Sequence, residues 1–299
     1  MKIVANISVG NEVEIIDQNI AYHIALGVDA FVIVDRFSED GTSQKLDRYR
    51  SDPRFHILHV ERDEFMDETG VKMPWLIDGW MLQVARQDFG ADWVVSIDAD
   101  EFLFPANGDL KKTLARFDNE VALSIERRNA VFCSGTALPS IPVSWDALSR
   151  FTIVSHPIST KPAEYEASDH IPLILTRVGP KAIVRPESVS KFTRGGHRAM
   201  DNNGQVIPIN STPGIISVHF WFTTLERFAH KANKVAEFNA LLRKYMPANA
   251  AWQWKRWARI VAEGPDAIRR EYDRQFLSET ELQTLMEQGT VRRARDHWD

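Results

Sequence analysis

The chain has 299 residues, 44% of them hydrophobic and 26% charged, an ordinary composition for a soluble globular protein with one large domain or a domain plus an appendage. Its net charge of -5 and pI near 6.0 argue against a dedicated nucleic-acid binder, which carries a basic footprint. The single cysteine, Cys133, excludes an intrachain disulfide and a thiolate zinc site, and reads as a buried structural thiol.

The opening segment MKIVANISVGNE is interrupted by Gly10, Asn11 and Glu12 and lacks the apolar length of a leader peptide. No stretch approaches the ~20 apolar residues of a membrane span. A cytoplasmic protein is therefore expected, at most peripheral at a membrane. In chain order, residues 3–9 form a compact strand-like run. Residues 12–26 carry Ile16, Ile20 and Ile24 at helical spacing, with Gly27 as a stop. Residues 30–34 and 55–60 are further strands, residues 75–89 a helix ended by Gly90, and residues 93–97 a fourth strand ended by Asp98. Strands alternating with helices imply right-handed crossovers and a mostly parallel sheet, and runs such as FVIV and WVVSI suit a sheet covered on both faces. In such sheets ligands bind beyond the carboxyl ends of the strands, which here carry Asn11, Glu12, Asp35 and Asp98 to Glu101.

From about residue 121 to 220 the texture changes to prolines and short apolar runs (VALSI, PLIL, KAIV, GIISV), which suggests an antiparallel extension on the acceptor side of a cleft. Residues from 225 onward read as helical. The expected organisation is a catalytic domain over 1–224, with a nucleotide-binding half at 1–120 and an acceptor half at 121–224, followed by a helical region at 225–299.

The segment WVVSIDADEFLF runs a buried strand straight into three acids, Asp98, Asp100 and Glu101. In extended chain alternate side chains share a face, so Asp98 and Asp100 are expected to point together and share a Mg²⁺ or Mn²⁺ ion. Such an ion keeps positions open for the phosphates of a leaving diphosphate. The bland alternative is a solvated strand cap.

Several ordered segments are similar to the GT-A fold glycosyltransferases of the family 2 type, in particular the branch close to glycosyltransferase family 92. They are NISVGNEVEIIDQNIAYHIALGVDAFVIVDRFSEDGT, ADWVVSIDADEFLF, KAIVRPESV and ISVHFW, spanning about residues 3 to 230. The resemblance implies an α/β GT-A fold: a Rossmann-like, mostly parallel sheet flanked by helices, with an antiparallel extension and a C-terminal helical tail. It implies Asp98 and Asp100 as metal ligands on a nucleotide sugar, UDP-linked in this branch. It further implies Asp35 on the base or ribose, Asn11 and Glu12 lining the nucleotide pocket, and His219 as a late metal or diphosphate ligand. The acceptor would be a glycan or another hydroxyl compound, and the transfer inverting. The sequence departs from the usual family 2 pattern at Arg36, which stands where a second acid is common and reads as a surface residue or a diphosphate contact.

A general base is required for the acceptor hydroxyl. Glu166 and Asp169 in KPAEYEASDHIP are the candidates, against a solvated loop. TRGGHRAM brings Arg194, His197 and Arg198 around two glycines, a basic lid or a plain hairpin turn. Trp254 and Trp257 in AWQWKRWARI share a helix face, for a membrane surface or for packing. Two other classes remain open on these residues: a metal-dependent nucleotidyl or phosphoryl transferase, and a non-catalytic sugar-binding protein of the same fold.

Overall fold

The computed structural model describes residues 1–61, 66–67, 70–71, 74–135, 138–159, 172–242 and 252–299. Eight strands form one sheet: β1 (Ile3–Val9), β2 (Ala30–Arg36), β3 (Phe55–Val60), β4 (Trp93–Ile97), β5 (Glu101–Pro105), β6 (Ala122–Asn129), β7 (Lys181–Val184) and β8 (Asn210–His219). Their order is β3-β2-β1-β4-β7-β6-β8-β5. The first four are mutually parallel, as the alternation of strands with α1 (Ile16–Ala25), α2 (Thr42–Asp47) and α3 (Pro74–Gln87) requires. This is the parallel half-sheet, covered on both faces, that the sequence leads one to expect. β1, β3 and β4 have the expected bounds, because each is a short apolar run closed by polar residues. Ile3, Ala5 and Ile7 of β1 pack into one layer and Val4 into the other, so both faces of this strand are buried.

The second half is mixed rather than antiparallel. β7 runs antiparallel to β4 and β6, β8 lies parallel to β6, and β5 is antiparallel to β8. These directions decide where the polar residues land. The carboxyl ends of β4, β6 and β8 and the amino ends of β7 and β5 all fall on one edge of the sheet. His219 therefore lies opposite both Glu101 and Asn129.

Two further expectations are corrected. The PLIL run is a buried 3-10 turn at Leu173–Leu175, not a strand; a proline precedes it and all three apolar side chains are consumed by the core. Cys133 is only half-buried. Of the two readings of the Trp254 and Trp257 face, packing holds for Trp257: it is 1% exposed and packs on Trp221 and Phe228 with ring centres 5.4 Å away in each case. Among the described residues no helix is long and apolar enough to cross a membrane.

Four helices complete the C-terminal region: α6 (Leu225–Leu242), α7 (Trp252–Glu263), α8 (Pro265–Asp273) and α9 (Glu279–Glu287), after the short α4 (Leu110–Leu114) and α5 (Trp145–Ser149). α6 presents Phe228 and Ala232 to the apolar cluster that holds Trp257. Its opposite face meets the strand ends.

Candidate active site

The acids after β4 sit on a turn, not on an extended strand. Glu101 N–H donates to the Asp98 carbonyl at 3.0 Å, and the Glu101 carboxylate accepts from Asp98 N–H at 3.0 Å. The chain reverses between β4 and β5, so the strand alternation expected for Asp98 and Asp100 fails. Asp98 is 48% exposed at the side chain, whereas Asp100 is 1% exposed. The fully buried Asn19 on α1 fixes the turn from behind, donating to the carbonyls of Ala99 at 2.9 Å and Glu101 at 2.8 Å.

Each acid is matched by a cation of the chain. Asp98 Oδ1 lies 2.9 Å from Lys181 Nζ, and Glu101 Oε1 lies 2.6 Å from Arg127 Nη1. Asp100 Oδ2 accepts from Arg227 Nη2 and Lys231 Nζ, both at 2.7 Å. Arg227 also holds Glu12 at 2.7 Å. Burial works to raise the pKa of both aspartates, but Lys181 prevails at Asp98, leaving it at about 2, and Lys231, His219 and Arg227 prevail at Asp100, leaving it well below the usual range. For Glu12 burial prevails over Arg227 and Lys231, and its carboxyl is raised.

His219 and Asp100 test whether the site fits a metal ion. Asn129 Nδ2 donates to the Ile174 carbonyl at 2.8 Å, so its amide oxygen faces His219 Nδ1 at 3.1 Å. That bond places the imidazole proton on Nδ1 and turns Nε2 toward Asp100 Oδ1, 3.4 Å away. A neutral imidazole and a carboxylate would oppose lone pairs there, so the geometry suits either an imidazolium or a cation shared by the two atoms. A ligating histidine anchored through its other nitrogen is the usual metal arrangement. Asp100 Oδ1 and His219 Nε2 thus fit a hard ion that takes its other ligands from phosphate and water. Asp98, turned onto Lys181, does not face this pair, and among the described residues no three His, Cys, Asp or Glu side chains converge on one point.

Asp35, near the end of β2 and 1% exposed, is held differently. It accepts from Ser38 Oγ and Ser43 Oγ, both at 2.5 Å, and lies 3.0 Å from His59 Nδ1. These residues line a cavity of about 400 Å³ with Phe37, Glu39, Asp47, Val60 and Glu61. Asn11 and Phe37, directly beyond β1 and β2, both adopt left-handed backbone conformations (φ 60° and 45°). That is uncommon for residues other than glycine and concentrates at binding sites. Asn11 Oδ1 accepts from Glu39 N–H at 2.7 Å, and its amide nitrogen meets His230 Nε2.

Arg36 does not lie idle at the surface. It sits in the field of Asp98, Asp78, Glu12 and Asp35. Asp78 on α3 has its carboxyl raised to about 6 by burial, with Asp98 reinforcing and Arg36 and Lys181 opposing. In the TRGGHRAM loop, a side chain at Gly196 would come 2.5 Å from Ser96 Oγ, so the loop lies directly on β4. His197 Nδ1 donates to the Pro180 carbonyl at 2.6 Å. Glu166 and Asp169 lie outside the described residues.

The sequence reasoning missed Asn19, Asn129, Arg127, Arg227 and Lys231. A signal existed for part of this set: Arg227, His230, Lys231 and Lys234 recur at helical spacing, a basic stripe opposite Phe228 and Ala232.

No family profile and no curated protein matches the chain. Among solved structures it is similar to S. aureus TarS 1-349, with a TM-score of 0.40 and 14% identity over 100% of this chain and 89% of that one. The same protein in complex with UDP overlaps with a TM-score of 0.40 and 15% identity, again over 100% and 89%. Its complex with UDP-GlcNAc gives 0.40 and 13% over the same shares.

Proposed function

We propose that the chain is a glycosyltransferase that moves a sugar from a nucleotide donor, UDP-linked as in the family 92-like branch, to a hydroxyl acceptor such as a glycan, with inversion. One observation supports this above all. An acid turn at the end of β4, carrying the Asp100–His219 pair, stands on the same sheet edge as a polar cavity closed by Asp35, the separation of roles that a nucleotide sugar requires. In this reading the catalytic domain is 1–224, and region 225–299 lends it α6.

Asp35 with Ser38 and Ser43 would orient the base or ribose, while Asn11 shapes the cavity wall. Asp100 and His219 would hold a Mn²⁺ or Mg²⁺ ion, joined by Asp98 on release from Lys181. Such an ion supplies charge neutralisation for the departing diphosphate. The acceptor oxygen bonds to the anomeric carbon as the bond to the diphosphate breaks, and its proton passes to a carboxylate, with Glu166 and Asp169 as candidates.

The test is incubation of the full chain with a panel of UDP-sugars and Mn²⁺, following the released nucleotide. Release of nucleoside diphosphate, abolished in Asp98→Ala with the fold retained, is expected. No release, with no thermal shift by UDP and Mn²⁺, overturns the reading. Release of pyrophosphate would assign nucleotidyl transfer instead.

A further inference from the structure

The basic stripe of α6 is not spent uniformly. Arg227 is taken up by Glu12 and Asp100, Lys231 by Asp100, and His230 meets Asn11. Lys234, two helical turns beyond Arg227, makes no ion pair among the described residues. Its ammonium lies 4.7 Å from the centre of the Phe37 ring. It also lies against Gly10, where the Cβ of any side chain would press to 3.1 Å of Nζ. The absence of a side chain at position 10 therefore leaves the space that the ammonium enters.

The surroundings make this placement costly without an anion. Burial, and then the neighbouring Arg36, work against the charged amine, and the more weakly acting carboxylates of Glu39, Glu12 and Asp35 do not offset them. Lys234 and Arg36 form a pair of like charges between the Asp35 cavity and the acid turn. Phe37, whose ring carries the ammonium, lines that cavity, and Arg36 feels both Asp35 and Asp98. A ligand with its base in the cavity and its sugar toward the acid turn would lay its phosphates across this interval.

We propose that Lys234 is a ligand of the diphosphate of the bound nucleotide, so that α6 belongs to the donor site. The inference rests on the nucleotide-sugar reading, which identifies the anion as a nucleoside diphosphate rather than free pyrophosphate. Phe37 sets the ammonium's position, and Gly10 keeps its approach open.

Calorimetric titration of the full chain with UDP, uridine and pyrophosphate tests this, using the native protein, Lys234→Met and Lys234→Arg. The native protein should prefer UDP to uridine, and Lys234→Met should lose about tenfold to a hundredfold in UDP affinity while uridine binding is unchanged. Lys234→Arg should recover most of the loss. Without ligand, Lys234→Met should melt no lower than the native protein, since it removes an ammonium that burial and Arg36 disfavour on balance; this separates lost binding from lost folding. Undiminished UDP binding by a folded Lys234→Met protein overturns the inference and leaves the nucleotide-sugar reading standing. Lys234-dependent binding of pyrophosphate with no preference for UDP keeps the anion site and overturns the nucleotide. No binding of any of the three overturns both.

Discussion

The acid turn after β4 and the cavity at the end of β2 both bury a carboxylate at a strand end, but they stabilise it by opposite means. Asp100 is held by two full positive charges, from Arg227 and Lys231. Asp35 is held by two hydroxyl groups and an imidazole. The first arrangement is a matched set of ions that loses its balance when one member leaves. The second is a set of dipoles, in which loss of one donor leaves the others in place. The turn therefore belongs to a rigid charged framework, and the cavity is the region in which a ligand can replace protein donors one for one.

The largest break in this contrast is Asp100→Ala. It takes the carboxylate from Lys231 and leaves buried Arg227 with Glu12 alone, and should destabilise the fold by about 3–5 kcal/mol, measured by urea unfolding. Asp35→Asn, which keeps a carbonyl for the serine hydroxyls, should destabilise by only about 1–2 kcal/mol in the same assay while weakening nucleoside binding. A loss at position 35 as large as that at 100 would erase the distinction. Acid sharpens it further. Asp98 and Asp100 have folded values below the unfolded 3.8, so their stabilisation is whole above that pH and is lost as the pH falls toward about 2. Asp78 has the reverse sign. Its folded value of about 6 lies above 3.8, so its charged form opposes folding as the pH rises through that window. Asp78→Asn should raise the melting temperature at pH 8 and leave it unchanged at pH 3. The smallest effect is expected from Ser43→Ala, about 1 kcal/mol, since Ser38 and His59 still serve Asp35.

The legible and illegible parts of the molecule divide along the same line. Residues 3–9 and 93–97 were readable as strands because burial on both faces demands mostly apolar runs, a local property, and the edge strand at residues 55–60 keeps enough of that character despite His56 and His59. Asp35 and the acid segment were readable as strand-end residues for the same reason. The orientation of Asp98 was not, because a turn closed by Glu101 replaces the alternation that extended chain would give. Nor were the partners: Lys181 and Arg127 reach the turn only because β7 and β6 run in opposite directions, and Arg227 is separated from Asp100 by 127 positions. Pairings of this kind are set by topology, which periodicity does not encode. The stripe on α6 was periodic, but the same pattern describes any helix with one solvated face.

Because Arg227, His230, Lys231 and Lys234 ride on a single helix, their positions are geared to one another. An α-helix advances about 100° per residue, so a rotation of α6 by one position would withdraw all four groups together rather than one at a time. The fulcrum is on the far side, where Phe228 meets Trp257. A lesion there, remote from every carboxylate in the turn, would be felt at four contacts at once. The outer packing of α6 is in this sense the tuning screw of the inner electrostatics.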